Sequence, residues 1–381
     1  MTGLLQGLVT VVLFFLILGS TVIVHELGHF FAARLAGMRI LEFGIGFPPR
    51  AKVIRDRGET VYTLNWLPIG GFVKLEGEED DSADPRSFAR KPLLVQILVL
   101  VAGVAMNIAL AFAIFTSITL TGDPAIGVYV PYVDPGSPAE VAGIVPGDVI
   151  EQVDGRAFGA FGQVTILDDL RAKAGQTVAL RVRHANDTTT DVTAKLRTAT
   201  DIAAGKGALG IGRAAVVDPA TGDVTVPGIP VELRTTPDRI RYSVGDAVSK
   251  GWDRTVSATR LIISGVGQIV SDLISNPSAP PPNISGPVGI ASEVGNVFWT
   301  LGPIITLYFA GILSANLAVV NILPLPPLDG GRILVIVLKR LLGGRLSLRA
   351  ERLTYIVGFA LLFAFLIWVT AFDVMRQFGG A

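Results

Sequence analysis

The residues of this 381-residue chain whose types and spacing could do chemistry together are His25-Glu26-Leu27-Gly28-His29. On a helix, residues four apart lie one above the other on the same face, so both imidazoles can reach one metal ion. Glu26 then stands beside them as a carboxylate able to take a proton from water, the division of labour of metal-assisted hydrolysis. Histidines at this spacing also occur as ordinary polar surface residues of soluble helices. The setting weighs against that here, because Met1 to Val24 contains no Lys, Arg, Asp, Glu or His. A helix crossing the hydrocarbon core needs about 20 apolar residues. Ionisable groups in such a span are costly and are functional by default.

A site of this kind needs a third protein ligand, and the composition narrows the choice. The chain has no Cys, which excludes a disulfide scaffold and a thiolate metal site, and only three His. The third, His184, lies in a polar, Arg-rich, strand-like segment from Val178 to Thr193, far from any apolar run. The remaining ligand is therefore sought among Asp and Glu at membrane depth. Asp329, in Asn321-Ile322-Leu323-Pro324-Leu325-Pro326-Pro327-Leu328-Asp329-Gly330-Gly331-Arg332, is best placed. A Pro-Gly turn with a capping aspartate is the plainer reading of that stretch; the shortage of His and Cys favours a ligand.

Half of the residues are hydrophobic and 17% are charged, the profile of an integral membrane protein with some soluble mass. The charges balance at 32 against 32, so nothing points to a nucleic-acid partner. The expected architecture is a polytopic α-helical membrane protein of about four transmembrane helices. A membrane-associated β-hairpin region and an inserted β-rich domain complete it.

The first apolar run, within residues 1–33, lacks a basic leading region and a small-residue cleavage pattern, and reads as a retained span rather than a signal peptide. Residues 34–92 are polar. Ala51–Arg55 and Glu59–Leu64 flank Asp56-Arg57-Gly58 as a hairpin. Trp66–Val73, broken by Pro68, Gly70 and Gly71, reads as a loop or a re-entrant segment. The acidic run Glu76–Asp84 reads as a solvated loop. A second span covers residues 93–120 and contains Gly103-Val104-Ala105-Met106-Asn107. The glycine permits close helix packing, and the buried amide needs a partner, in packing or at an active site.

Residues 124–200 change character to alternating strands. Ser137-Pro138-Ala139, Pro146-Gly147-Asp148 and Asp154-Gly155 follow one another at the spacing of a bacterial PDZ domain, which this segment resembles. The resemblance implies a domain that accepts an extended peptide as an added strand, with the ligand loop near Ile126 and Gly127. One copy of the pattern is present. Residues 201–300 hold short strands, an amphipathic pattern from Pro237 to Leu273 expected to lie on the membrane or on the helical body, and a Pro-rich linker, Asn276–Asn283. A third span is expected within 301–330, a loop over 331–352 and a fourth span over 353–373. Residues 34–91 carry ten Lys or Arg and residues 332–352 carry six. These loops are expected in the cytoplasm, with both termini and the β-rich domain outside and the histidines near the cytoplasmic face.

Taken together, His25-Glu26-x-x-His29, Gly103-x-x-x-Asn107, Pro68-x-Gly70-Gly71-Phe72, Ser285-Gly286-Pro287-Val288 and Asn321-x-x-Pro324-x-Pro326-x-x-Asp329-Gly330-Gly331 resemble the site-2 protease family of intramembrane zinc metalloproteases, of the bacterial regulator-of-sigma-E type. The resemblance spans nearly the whole chain. It implies Zn2+ held by His25, His29 and Asp329, with Glu26 as catalytic base. Asn107, Asn321, Gly70 and Gly71 would hold the substrate chain, the first two helping with the tetrahedral intermediate. The implied substrates are membrane-embedded segments in contact with lipid, already shortened by another protease: an anti-sigma factor or a leftover signal peptide. The implied location is the bacterial cell membrane. Two departures stand out: some relatives carry two PDZ domains, and Arg332 replaces a histidine common after Asp-Gly-Gly. A non-proteolytic metal transporter or PDZ-bearing scaffold is the competing expectation. A transporter should show ionisable residues in several spans or an inverted repeat, and neither is evident.

Overall fold

In chain order the elements are α1 (Thr2–Leu35), β1 (Ile40–Arg55), β2 (Val61–Leu75), α2 (Leu93–Thr121), β3 (Asp123–Tyr129), α3 (Pro138–Val141), β4 (Val149–Val153), β5 (Arg156–Gly159), α4 (Ile166–Ala172), β6 (Thr177–Arg183), β7 (Thr189–Lys195), α5 (Ala199–Ala203), β8 (Val216–Val217), β9 (Val224–Val226), β10 (Glu232–Ile240), α6 (Val244–Ser275), α7 (Pro287–Leu301), α8 (Pro303–Asn321), α9 (Asp329–Leu341) and α10 (Leu348–Phe378). The computed structural model describes residues 2–56, 58–78, 82–162, 164–212, 216–217, 224–226, 230–275, 284–342 and 348–378. The Pro-rich segment Asn276–Asn283 and much of 213–229 lie outside the described residues. The chain divides into two compact units, Met1–Ser117 with Val248–Ala381, and Ile118–Ala247.

In the first unit, four helices among the described residues are long and apolar enough to cross a membrane: Gly3–Leu35, Leu93–Thr121, Pro303–Asn321 and Leu353–Arg376. Helices apolar on every face suit a lipid surround, and their many exposed Leu, Ile and Phe side chains are what such a surround would cover. Small residues let them approach closely. A Cβ on Gly28 of α1 would lie 2.4 Å from the Ala102 carbonyl oxygen of α2. α6 joins this body through Ala258, which packs with Ala111, Phe115 and Ala315, and through Gly251, where a Cβ would strike Thr116.

The helical reading of Pro237–Leu273 needs correction at its start, because Pro237–Ile240 is strand and the helix begins at Val244. The third span, expected within 301–330, is the helix Pro303–Asn321. Gly302, at φ +87°, ends α7 and starts α8, so Pro287–Leu301 forms a separate helix. The loop expected over 331–352 contains α9, whose apolar and basic residues alternate at helical spacing.

β1 and β2 form an antiparallel sheet in which each strand bends and pairs twice. Tyr62–Leu64 pairs with Phe43–Ile45 on one side and with Lys52–Arg55 on the other, while Phe72–Leu75 pairs with the far side of Ile40–Ile45. The bends fall at Gly46 (φ +80°) and Gly70 (φ +85°), a backbone region that glycine enters without penalty. Trp66–Val73 is therefore part of a bent strand rather than a loop. Glu76 and Asp84 face Arg39, and Glu78 pairs with Arg332, so the described ends of the acidic run are tied down by cations rather than merely solvated.

The second unit is built on a six-stranded sheet in the order β10-β3-β5-β4-β6-β7. Its core gathers Val128, Val130, Ile150, Val153, Phe158, Ile166, Leu170, Leu180 and Leu209. Asp154 and Gly155, both at positive φ, make the two-residue turn from β4 to β5. Ser137 caps α3 and Thr165 caps α4. Ile126 and Gly127 lie inside β3 and not in a loop, and the outer edge of β3 is taken by β10, with Arg234 opposite Gly127 and Thr235 opposite Ile126.

Candidate metal centre

α1 presents His25 and His29 one turn apart, and α9 begins at Asp329. The chain from Ile322 to Pro326 folds back against the first turn of α9. A Cβ on Gly330 would lie 2.1 Å from the Ile322 carbonyl oxygen, and one on Gly331 would lie 2.5 Å from the Leu325 carbonyl carbon. Only glycine permits this return, which brings the aspartate back to the histidines.

The three side chains meet in one cluster. His25 Nε2 lies 3.0 Å from Asp329 Oδ2, His29 Nε2 lies 3.2 Å from the same oxygen, and the two Nε2 atoms are 3.1 Å apart. All three residues are buried. Ligand atoms about 2.0–2.1 Å from a tetrahedral zinc stand about 3.3 Å from one another, so this near-equilateral triangle fits three ligands of a single ion. Two imidazole nitrogens and one carboxylate oxygen make a borderline-soft donor set that leaves a fourth position open, the catalytic pattern for zinc.

The surrounding contacts orient these groups. His29 Nδ1 lies 2.8 Å from the Val99 carbonyl oxygen, to which it can only donate, leaving Nε2 as the lone-pair nitrogen. Asn107 is fully buried, with Nδ2 3.3 Å from His25 Nδ1. Asn321 Nδ2 lies 3.4 Å from His25 Nε2, on the side facing the triangle. The sequence-predicted residues Asn107 and Asn321 are thus both brought to His25. A Cβ on Gly71 would stand 3.6 Å from Glu26 Cγ, so the Gly70-Gly71 bend of β2 is beside the glutamate. Ile126 and Gly127 belong to the other unit and take no part.

Three contributors have contacts that the sequence did not reveal. The Val99 carbonyl is a main-chain group and has no residue-type signal. Gly103 was legible as a packing glycine, but its neighbours were not: a Cβ there would lie 2.6 Å from His29 Nε2 and 2.8 Å from His25 Cε1. Arg332, one turn beyond Asp329, pairs with Glu78, whose other oxygen accepts from the Leu75 amide, so the ligand-bearing helix is tied to the end of β2.

Membrane-length helices around a buried two-histidine, one-carboxylate cluster define the class of an integral-membrane metalloprotease. Over residues 13–365 the sequence matches Peptidase family M50, and the chain belongs to that family. It is 32% identical to a Clostridium perfringens protein named as a zinc metalloprotease, over 93% of this chain and 96% of the relative. It is 25% identical to the zinc metalloprotease RasP of Geobacillus kaustophilus, over 98% of this chain and 100% of RasP. It is also 32% identical to a chloroplast protein of Arabidopsis thaliana named as a membrane metalloprotease, over 88% and 73%. The chain is an intramembrane zinc metalloprotease acting on membrane-protein substrates, and zinc is its metal.

Proposed function

We propose that His25, His29 and Asp329 hold the zinc, that Glu26 is the general base, and that the enzyme cuts peptide bonds within transmembrane segments. The observation that carries this is the 3.0–3.2 Å triangle of ligand atoms directly beside Glu26 in sequence. Zinc, when bound, supplies Lewis-acid polarisation of a peptide carbonyl and makes a water acidic enough to lose a proton near neutral pH. Glu26 accepts that proton and returns it to the departing amine. Asn321 offers an amide N–H to the carbonyl oxygen as it gains charge.

A substrate helix shields its peptide bonds with intrahelical hydrogen bonds, so it is unwound before cleavage. The edge Phe72–Leu75 pairs with β1 on one side, and its Gly70-Gly71 approach lies next to Glu26. An unwound substrate adds there as a strand, held by main-chain hydrogen bonds that do not depend on its sequence. Gly70 and Gly71 keep the edge clear of side chains beside Glu26.

The basic loops 34–91 and 332–352 favour the cytoplasmic side for the metal centre, with both termini and the unit Ile118–Ala247 outside a bacterial cell membrane. In this reading that unit is a single PDZ domain spanning about residues 124–200. It screens substrates for a shortened outer part, such as a pre-cut anti-sigma factor or a remnant signal peptide. Capture of a chain end along β3 requires β10 to leave that edge. A transporter or scaffold role has no observation in its favour beyond the metal cluster itself.

The test uses the full chain in detergent with a model transmembrane substrate of truncated outer domain. Wild type should cleave and a zinc chelator should stop it. Glu26→Gln should keep zinc and lose about 10²–10⁴-fold in rate, and Asp329→Ala should lose zinc. If the three proteins cleave alike, the reading fails.

A further inference from the structure

Asn107 is a residue whose family resemblance suggests contact with the substrate, yet its surroundings describe another task. Its side chain is fully buried on α2, its Nδ2 stands 3.3 Å from His25 Nδ1, and its Oδ1 is buried with no hydrogen-bond partner among the described residues. The main chain at this point is pinned as well, because Ser314 Oγ on α8 donates to the Asn107 carbonyl oxygen at 2.8 Å.

His25 turns Nε2 toward His29 and Asp329. For Nε2 to offer a lone pair to a metal, the neutral ring carries its single proton on Nδ1, which is then a donor in need of an acceptor. With the Asn107 NH2 group toward Nδ1, two donors oppose each other while an amide oxygen lies buried and unpaired. Turning the amide by 180° puts Oδ1 at hydrogen-bond distance from Nδ1–H. The two ends of an amide have nearly the same shape, so the hydrogen-bond network decides the orientation. One amide end stays unpaired in either setting, and only the turned one gains a hydrogen bond.

We infer that Asn107 is a positioning residue that accepts from His25 Nδ1–H through Oδ1, holding the ring in the tautomer whose Nε2 is free for zinc. The arrangement then has a simple geometry. α1 offers ligands at positions 25 and 29, and α2, antiparallel to it, offers acceptors at 107 and 99 with Gly103 midway. The Val99 carbonyl does for His29 what the Asn107 amide does for His25. Positions 99, 103 and 107 lie on one stripe of α2 at the same four-residue spacing as the histidines. Each imidazole thus has an orienting partner on the neighbouring helix, and such partners typically contribute 10–100-fold to metal affinity.

This inference rests on the reading of His25 as a zinc ligand, and the experiment separates the two. Zinc affinity is measured by competition with a chromophoric chelator on the purified full chain in detergent, for wild type, His25→Ala, Asn107→Leu, Asn107→Ala and Asn107→Asp. The leucine variant keeps the branched shape of Asn107 and removes the acceptor. The alanine variant removes it without added bulk and decides the matter if the leucine variant does not fold. Asn107→Asp retains an acceptor oxygen and lacks a donor when ionised. We expect His25→Ala to lose zinc, Asn107→Leu and Asn107→Ala to bind it 10–100-fold more weakly, and Asn107→Asp to stay within about threefold of wild type.

Cleavage by the weakened variants should recover when zinc is raised to saturation. If His25→Ala binds zinc like wild type, the ligand reading itself fails. If His25→Ala loses zinc while Asn107→Leu and Asn107→Ala keep wild-type affinity and show a raised KM, Asn107 holds substrate and the inference is overturned. If Asn107→Asp is as weak as Asn107→Ala, the acceptor role is overturned as well.

Discussion

At the residue scale, the centre depends on side chains that are absent as much as on those present. Gly103 faces both ligand rings, and the atoms a methyl group would strike include His29 Nε2 at 2.6 Å and His25 Cε1 at 2.8 Å. These are backbone-anchored rings in a packed interior, with little room to yield. Gly103→Ala should therefore push a ligand nitrogen out of the triangle and reduce zinc affinity about tenfold or more, read by chelator competition, with little change in helix content by circular dichroism. An alanine variant that binds zinc as wild type does would show that α2 lies farther from the histidines. The same scale gives Arg332, which follows Asp-Gly-Gly, its part. It faces Glu78 rather than the triangle, and its role is to join α9 to the strand end at Leu75.

Among the elements, two junctions are sealed by carboxylates that no motif announces. α7 starts at Gly286 with no side-chain cap of its own, and Asp373 on α10 takes that role by accepting from the Gly289 amide at 2.8 Å. Gly286 and Gly289 are both needed, since a Cβ at either would come within 2.8–2.9 Å of the Asp373 carboxylate oxygens. This accounts for the Ser285-Gly286-Pro287-Val288 motif. An anion at a helix N-terminus satisfies orphan amides and complements the helix dipole. Asp373→Ala should destabilise the helical unit by about 1–2 kcal/mol, measured as a lowered thermal unfolding transition in detergent.

The bent sheet is held by Glu42, which accepts from Thr63 at 2.8 Å and pairs with Arg50. Burial by itself would raise the Glu42 carboxyl, but the hydrogen bonds from Arg50 and Thr63 outweigh it and hold the group below the ordinary glutamate range. A carboxyl lowered on folding stabilises above its unfolded value, near pH 4.3, and that contribution is lost as pH falls through the folded value. Amide protection in β1 and β2, taken relative to the intrinsic exchange rate at each pH, should therefore fall below about pH 4.3, and Glu42→Gln should remove that fall.

For the whole molecule, the candidate ligands all come from the unit formed by Met1–Ser117 and Val248–Ala381, and among the described residues none comes from Ile118–Ala247. A ligand stabilises only the state that binds it, by about 2.7 kcal/mol at a hundredfold excess over its dissociation constant. Chelation should lower the unfolding transition of the first unit and leave amide protection in β3 to β7 unchanged. Equal loss in both units would overturn the assignment of the ligands to the first unit alone. In the proposed reading the chemistry belongs to the helical unit and substrate choice to the sheet-built unit.

The sequence by itself determined the chemistry and most of the span positions. An uninterrupted apolar run ending in His-Glu-x-x-His has few physical uses, and the absence of Cys with one distant His directed the search for a third ligand to the carboxylates. The Asp154-Gly155 hairpin was legible because turns depend on local residues. Other features required the tertiary structure because long-range pairing decides them. Trp66–Val73 reads as a broken loop, yet Gly70 lets β2 bend and return to β1. Pro237–Ile240 has a helical pattern, but an open edge of β3 draws it into a sheet. α9 was hidden in a basic stretch, and its start at Asp329 depends on two glycines admitting the Ile322–Pro326 chain. The partners of His25 and His29 on α2 depend on how two apolar helices pack, at a site where the deciding groups are one carbonyl, one amide and one missing side chain.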